Sequence, residues 1–286
     1  MPELPEVETI ARGVDKRVRG DRIVEVWLGR HPEPFKTPAA LQARGLEGCY
    51  LLAVHRTGKH IVCELGDGTP GQSKCSDAGK TLATAQWIVH LGMTGRLLVT
   101  TPDAPVAAHT HARLRLASGR EIRFVDPRRF GRLELRDLSR TTPFAAAGAE
   151  PLTIMAKPFA ALFHGRSLSI KAALLNQTLL TGVGNIYADE SLFQAGIRPR
   201  RAAGRLTLAE LERLRVALQT VLRHAIRLGG SSVSDYVDAE GVRGFFQLEH
   251  CVYQRGGLPC RLCGTPIRRI ELAGRGTHYC PKCQSH

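Results

Sequence analysis

Near its carboxyl end the chain carries Cys260-Arg-Leu-Cys263 and, after sixteen intervening residues, Cys280-Pro-Lys-Cys283. No other feature limits the fold as tightly. A CxxC turn lets two sulfurs reach one tetrahedral ion, so two such pairs at this spacing describe a four-thiolate zinc ribbon. The hairpin between them is too small to fold without the ion. The competing reading, two redox pairs, calls for a surrounding βαβ pattern that the sequence lacks. One structural Zn2+ held by Cys260, Cys263, Cys280 and Cys283 is therefore expected. Cys49, Cys63, Cys75 and Cys251 have no such spacing and read as packing or surface thiols. Inside the hairpin Arg275 stands between Gly274 and Gly276, where the backbone can approach another group closely.

The 286 residues suffice for two modest domains, or one with an appendage, and 43% hydrophobic content is ample for buried cores. Forty Lys and Arg against 26 Asp and Glu leave +14, which favours polyanionic partners such as nucleic acid, although a merely basic surface has the same charge. No stretch approaches the ~18–20 consecutive apolar residues of a membrane span. The amino end carries Glu3, Glu6 and Glu8 rather than a basic and then apolar leader. A cytoplasmic protein without membrane contact is expected, and in that reducing compartment eight cysteines argue against a disulfide framework.

Apolar residues at Leu4, Val7, Ala11, Val14 and Val18 recur at helical spacing, with Pro5 in the first turn and Gly20 past the end. Short β-rich runs follow: RIVEVWL, YLLAVHR, KHIVCEL, QWIVHLGM and RLLVT. HARLRLASGREIRFVD is the clearest hairpin, since Ala112, Leu114 and Leu116 alternate with arginines before a Ser-Gly turn. Residues 66–81 contain no large apolar side chain and read as a surface insertion. After a proline-bearing linker the pattern turns helical, in SIKAALLNQTLL, IYADESLFQAG and TLAELERLRVALQTVLRHAIRLGG. The last opens with Thr207 and Glu210 in capping-box spacing. Between two helices, TGVGNIY sets Asn185 at a helix start, where exposed N–H groups attract anions; Asn is also an ordinary helix cap there. Arg166 and Lys171, upstream, read as phosphate contacts.

Six motifs in order cover the whole chain: MPELPEVET, RTGKH, HLGMTG, DPRRFG, KAALLNQTLLTGVGNIYADE and GRGTHYCPKCQ. Together they resemble the formamidopyrimidine-DNA glycosylase family of bifunctional glycosylase/AP lyases. The resemblance implies an α+β multidomain fold: an N-terminal β-sandwich with flanking helices over residues 1–140, a linker at 141–156, a helix–two-turn–helix domain over 157–247 with a lesion loop at 229–246, and a zinc-ribbon hairpin over 248–286. It further implies base-excision repair of duplex DNA that contains oxidised purines or abasic sites, by a monomer.

The resemblance also gives Pro2 a role. With Met1 removed, Pro2 offers a secondary amine, and an α-amino group titrates near 7.7–8 where a lysine titrates near 10.4. The positive end of the helix that begins at Pro5 should assist it. Attack at the sugar C1′ expels the base and leaves an iminium, which acidifies the C2′ proton and sets up β- and then δ-elimination. Glu3 is implied as the proton handler, Lys59 as the donor in β-elimination, and Arg275 as the finger arginine that joins Asn185 on phosphates. Met93, Arg128 and Phe130 match the set that fills the void left by base flipping, although Met93 and Phe130 taken alone would read as core. His109 matches a DNA-contact position. Ser234 stands where some relatives carry a basic residue, which bears on base preference. Two alternatives stand beside this reading: an endonuclease VIII-type glycosylase for oxidised pyrimidines, and a non-catalytic zinc-containing DNA-binding protein.

Overall fold

The computed structural model describes residues 1–67, 82–232 and 236–285. Most of the 66–81 insertion, Cys75 and Ser234 therefore lie outside the described residues. The chain forms two compact units, one of Met1–Pro2, Glu6–Ala145 and Ser231–Gly244, the other of Glu3–Pro5, Ala146–Gly230 and Phe245–His286.

The amino-terminal helix α1 (Leu4–Val18) is followed by β1 (Ile23–Leu28), α2 (Ala39–Leu46), β2 (Tyr50–Thr57), β3 (His60–Gly66), β4 (Ala85–His90), β5 (Arg96–Thr100), β6 (Thr110–Leu116), β7 (Glu121–Val125) and β8 (Arg132–Asp137). The strands make two four-stranded antiparallel sheets, in the orders β1-β6-β7-β5 and β2-β3-β4-β8. Register follows the apolar pattern: Leu114 lies opposite both Val26 and Ile122, while Cys63 faces Val54 and Trp87. Val7, Ile10, Ala11, Val14 and Val18 of α1 join Trp87, Phe124 and Leu133 in one core. Each such large side chain contributes roughly 1.5–3 kcal/mol on burial.

Two elements of this unit went unread in the sequence. β8 alternates Leu133 and Leu135 with charged residues and completes its sheet against β4. α2 has no side-chain cap, and tertiary contacts hold it instead. Its fully buried Gln42 donates to the carbonyls of Thr37 and Leu133 at 2.8 and 3.1 Å and accepts from the Trp87 indole at 3.2 Å. Of the segment 229–246 expected with the helices, the described residues 231–232 and 236–244 group with this unit: Tyr236 and Ala239 enter its core, and Ser231 N–H donates to Glu6 Oε1 at 2.7 Å.

The second unit holds α3 (Ala156–Ala161), α4 (Ile170–Leu175), α5 (Asn185–Gln194), α6 (Leu208–Arg227) and the hairpin of β9 (Arg268–Leu272) with β10 (Arg275–Tyr279). The pattern SIKAALLNQTLL reads as one helix, yet α4 stops at Leu175. Asn176 ends it by turning its side-chain oxygen to Thr178 N and Oγ1, at 2.9 and 2.8 Å. Thr207 and Glu210 form both halves of the capping box on α6. Among the described residues no helix is long and apolar enough to cross a membrane.

Candidate functional site

In the helical unit the chain around Glu3 is threaded against the loop before α5. Leu4 N–H donates to the Gly182 carbonyl at 3.0 Å, and Glu3 Oε1 accepts from Ile186 N–H at 3.2 Å. Gly184, the residue that caps α5, offers no side chain, and a Cβ there would lie 2.2 Å from the carboxyl carbon of Glu3. Any other residue at 184 would push the carboxylate away. The helix end that the sequence reserves for an external anion thus meets a carboxylate of the chain itself at Ile186.

Asn185, the first residue of α5, donates Nδ2 to the Gly276 carbonyl at 3.0 Å. Lys171 meets the same carbonyl at 3.1 Å and Thr277 Oγ1 at 2.8 Å, and its ammonium lies 2.7 Å from Asp189 Oδ1. The Lys171 and Asp189 side chains are both 0% exposed. Lys171, expected at phosphate, is enclosed; burial lowers its pKa, and Asp189 opposes that by favouring the charged form. Asp189 Oδ2 also accepts His278 N–H at 2.8 Å, so one carboxylate ties α5 to β10. Arg275 is exposed at the first position of β10, next to the gripped Gly276. Arg166 is exposed as well, its Nε donating to the Leu162 carbonyl at 2.6 Å.

In the β-sandwich unit Pro2 is buried, and Lys59 is half-buried in the two-residue turn from β2 to β3. Burial, and then the Lys59 charge, lower the pKa of His90; burial and the neighbouring His90 hold His60 at about 4. Met93 and Phe130, which read as core when taken alone, are 42% and 48% exposed, on the turn after β4 and the loop after β7. The Arg128 guanidinium lies 4.8 Å from the centre of the Phe130 ring, a cation–π distance. His109 is exposed just before β6 with φ 62°. Sequence reasoning missed Asp189 and Asp126, whose side-chain partners Lys171 and Thr94 stand at sequence distances no local pattern marks.

The four tail sulfurs lie within 4.8 Å of one another, with Cys260–Cys283 at 3.9 Å and Cys263–Cys280 at 3.5 Å. A zinc tetrahedron with Zn–S near 2.3 Å requires sulfurs about 3.8 Å apart, so the four cysteines fit a structural metal. Hydrogen bonds from Thr265 pull the Cys263 thiol down to about 6, while burial pushes those of Cys280 and Cys283 up; a dication would stabilise all four as thiolates. Glu190, buried in α5, accepts N–H bonds from Cys251, Val252 and Tyr253 at 2.8–2.9 Å and pins the chain as it enters the tail.

Three family models match this chain: the formamidopyrimidine-DNA glycosylase N-terminal domain over residues 1–133, the H2TH domain of that enzyme over 148–237, and the zinc finger found in FPG and IleRS over 257–285. The chain belongs to the formamidopyrimidine-DNA glycosylase family. The Desulfitobacterium hafniense formamidopyrimidine-DNA glycosylase is 42% identical over 292 residues, which cover 99% of this chain and 100% of that one. Among solved structures, a mutant of Lactococcus lactis FPG in complex with a Fapy-dG-containing DNA superposes with a TM-score of 0.87 at 33% identity, covering 100% of both chains. The same Lactococcus lactis enzyme bound to DNA containing an oxidised pyrimidine gives 0.85 at 33% identity, again over 100% of both. Family members are base-excision DNA glycosylases, and the β-sandwich, helical region and four-cysteine hairpin of this chain have the family's architecture.

Proposed function

We propose that this protein removes oxidised purines, 8-oxoguanine and formamidopyrimidines, from duplex DNA and then cleaves the abasic strand by β,δ-elimination. The observation that carries the reading is the placement of Glu3: a buried carboxylate, one peptide bond from Pro2, fixed at the Ile186 amide in space that Gly184 leaves open. With Met1 removed, the Pro2 nitrogen attacks C1′ as the glycosidic C–N bond breaks, and the base leaves with a proton. The attached amine gives up its proton, and Glu3 protonates the ring oxygen O4′ as the C1′–O4′ bond breaks, which opens the sugar and leaves C1′ doubly bonded to the Pro2 nitrogen. The resulting iminium withdraws electrons from C1′, the C2′ proton departs, and the 3′ phosphate leaves; loss of the 5′ phosphate follows.

Lys59 serves as proton donor in β-elimination, and Arg275 with Asn185 grips phosphates beside the lesion. His109, Arg128 and Arg166 contact the DNA, and Met93, Arg128 and Phe130 fill the space the flipped base vacates. One Zn2+ on Cys260, Cys263, Cys280 and Cys283 holds the finger and takes no part in the reaction. The protein acts as a cytoplasmic monomer, its sequence divided at 1–140, 157–247 and 248–286 around a 141–156 linker.

A second reading, excision of oxidised pyrimidines, is favoured by the Lactococcus lactis complex with oxidised-pyrimidine DNA. One panel tests both. Duplexes with 8-oxoguanine, formamidopyrimidine or thymine glycol are incubated with enzyme and borohydride, and trapped complexes are counted. Trapping on the purine lesions, and its near-complete loss in Pro2→Gly, is the expected result. Thymine glycol as the best substrate would replace the first reading with the second, and active protein that retains Met1 would overturn the mechanism.

A further inference from the structure

The two turns that carry Met93, Arg128 and Phe130 share one buried anchor, Asp126, whose side chain is 0% exposed. Its Oδ1 accepts from Thr94 Oγ1 at 2.6 Å and from Arg128 N–H at 3.3 Å, and its Oδ2 accepts from Gly131 N–H at 2.7 Å. One carboxylate therefore binds the residue after Met93, the backbone of Arg128 itself and the residue after Phe130. The backbone of Asp126 reaches the third contact segment, since its N–H donates to the His109 carbonyl at 3.0 Å. Its own carbonyl accepts from His111 Nε2 at 3.0 Å. The two turns also touch directly: a Cβ on Gly92 would lie 2.5 Å from the Phe130 carbonyl carbon.

We infer that Asp126 is the positioning residue that locks the Met93 turn and the Arg128–Phe130 loop into one preset wedge, and that opposite-base selection in the duplex depends on it. This deepens the proposed glycosylase reading and rests on it. The chemistry fits a lock. Three exposed side chains on two turns would each lose conformational freedom on entering a duplex, and fixing the turns beforehand removes much of that cost. A carboxylate suits the task because it accepts several donors at once with short, charge-assisted bonds. An amide in its place presents one oxygen, so whichever way it turns, either Gly131 N–H or Arg128 N–H faces another donor. Asp126 itself touches no reacting atom, and its effect passes through the loops.

The test compares wild type, Asp126→Asn, Thr94→Val and Thr94→Ser on three DNAs: 8-oxoguanine opposite cytosine, 8-oxoguanine opposite adenine, and a single strand with a preformed abasic site, which has no void to fill. Asp126→Asn is expected to lose about ten- to a hundredfold in excision from the cytosine duplex, as small misplacements of positioning groups do. Its cytosine-over-adenine ratio should narrow, and its borohydride trapping on the single strand should stay within about twofold of wild type. Thr94→Val should show the same pattern more weakly, and Thr94→Ser, which keeps the hydroxyl, should restore it; this pair decides the matter if Asp126→Asn does not fold. Equal losses on duplex and single strand, or an unchanged base ratio, would overturn the inference. Absence of trapping by the wild-type protein on any of the three DNAs would instead sink the glycosylase reading beneath it.

Discussion

Two buried carboxylates, Asp126 in the β-sandwich unit and Asp189 in the helical unit, do the same job by different chemistry. Each is 0% exposed, and each fixes backbone that carries exposed functional side chains. Asp126 is answered by neutral donors, two N–H groups and one hydroxyl. Asp189 is answered by the Lys171 ammonium as well as an N–H. Neutral donors can be lost one at a time, at roughly 1.5–3 kcal/mol for a bond to a charged group. An ion pair fails as a whole, because removing one member strands the other charge away from water.

Metal removal should separate the two regions most sharply. A structural zinc contributes on the order of 10 kcal/mol or more to such a tail. Chelation is expected to erase hydrogen-exchange protection at Thr277, His278 and Tyr279 while the amides of β3 and β4 keep theirs. Equal loss in both places would mean that the regions are not held separately. Next in size is Lys171→Met, expected to destabilise by about 3–5 kcal/mol in urea titration, because Asp189 is then left charged in a dry site. Adding Asp189→Leu should recover much of that loss. If the single substitution costs under about 1 kcal/mol, the ion pair does not anchor the hairpin and the contrast with Asp126 collapses.

Mild acid should blur the comparison rather than sharpen it, since each unit holds a histidine whose pKa burial lowers to about 4. His60 lies in the sandwich beside His90, Lys36 and Arg136; His250 lies in the helical unit near Arg261. Burial is the first cause for both, and both fall from 6.5 to about 4. Below pH 6.5 the unfolded chain takes up these protons while the folded chain refuses them until about 4. Stability is thus full above 6.5 and falls as pH drops through that window, by at most about 3 kcal/mol per histidine. His60→Phe and His250→Phe should each flatten the acid slope of thermal stability, and an unchanged slope would remove the histidines from the account.

How far all this was legible in the sequence depends on the range of the interaction. The α1 stripe, the β6–β7 hairpin, the capping box and the CxxC pairs are local patterns, and each is realised. Elements held by distant partners were not readable: α2 depends on Gln42 reaching Leu133 and Trp87, and α4 ends where Asn176 competes for its own backbone. Lys171 shows the limit for a site residue. A lysine near a glycine-rich helix start reads as a phosphate ligand, and only the fold brings Asp189 and Thr277 around it. Gly184, inside TGVGNIY, is a further case: its missing side chain is what admits Glu3, a partner that stands at the other end of the sequence.

The smallest effect falls on a third carboxylate that sets a scale for the other two. Glu210, at the start of α6, combines both kinds of partner nearer the solvent: it accepts from Thr207 N–H at 2.8 Å and forms a two-pronged pair with the Arg201 guanidinium. The Arg201 bond leads the causes that pull its pKa from 4.5 to about 2. A depressed carboxylate contributes stability that is present above its unfolded pKa and lost as pH falls through the folded one. Glu210→Gln should therefore cost about 1 kcal/mol at pH 7, as loss of a helix cap does. The difference between variant and wild type should shrink below pH 4.5 and vanish near 2. A difference that stays constant across this range would assign the effect to capping geometry rather than charge.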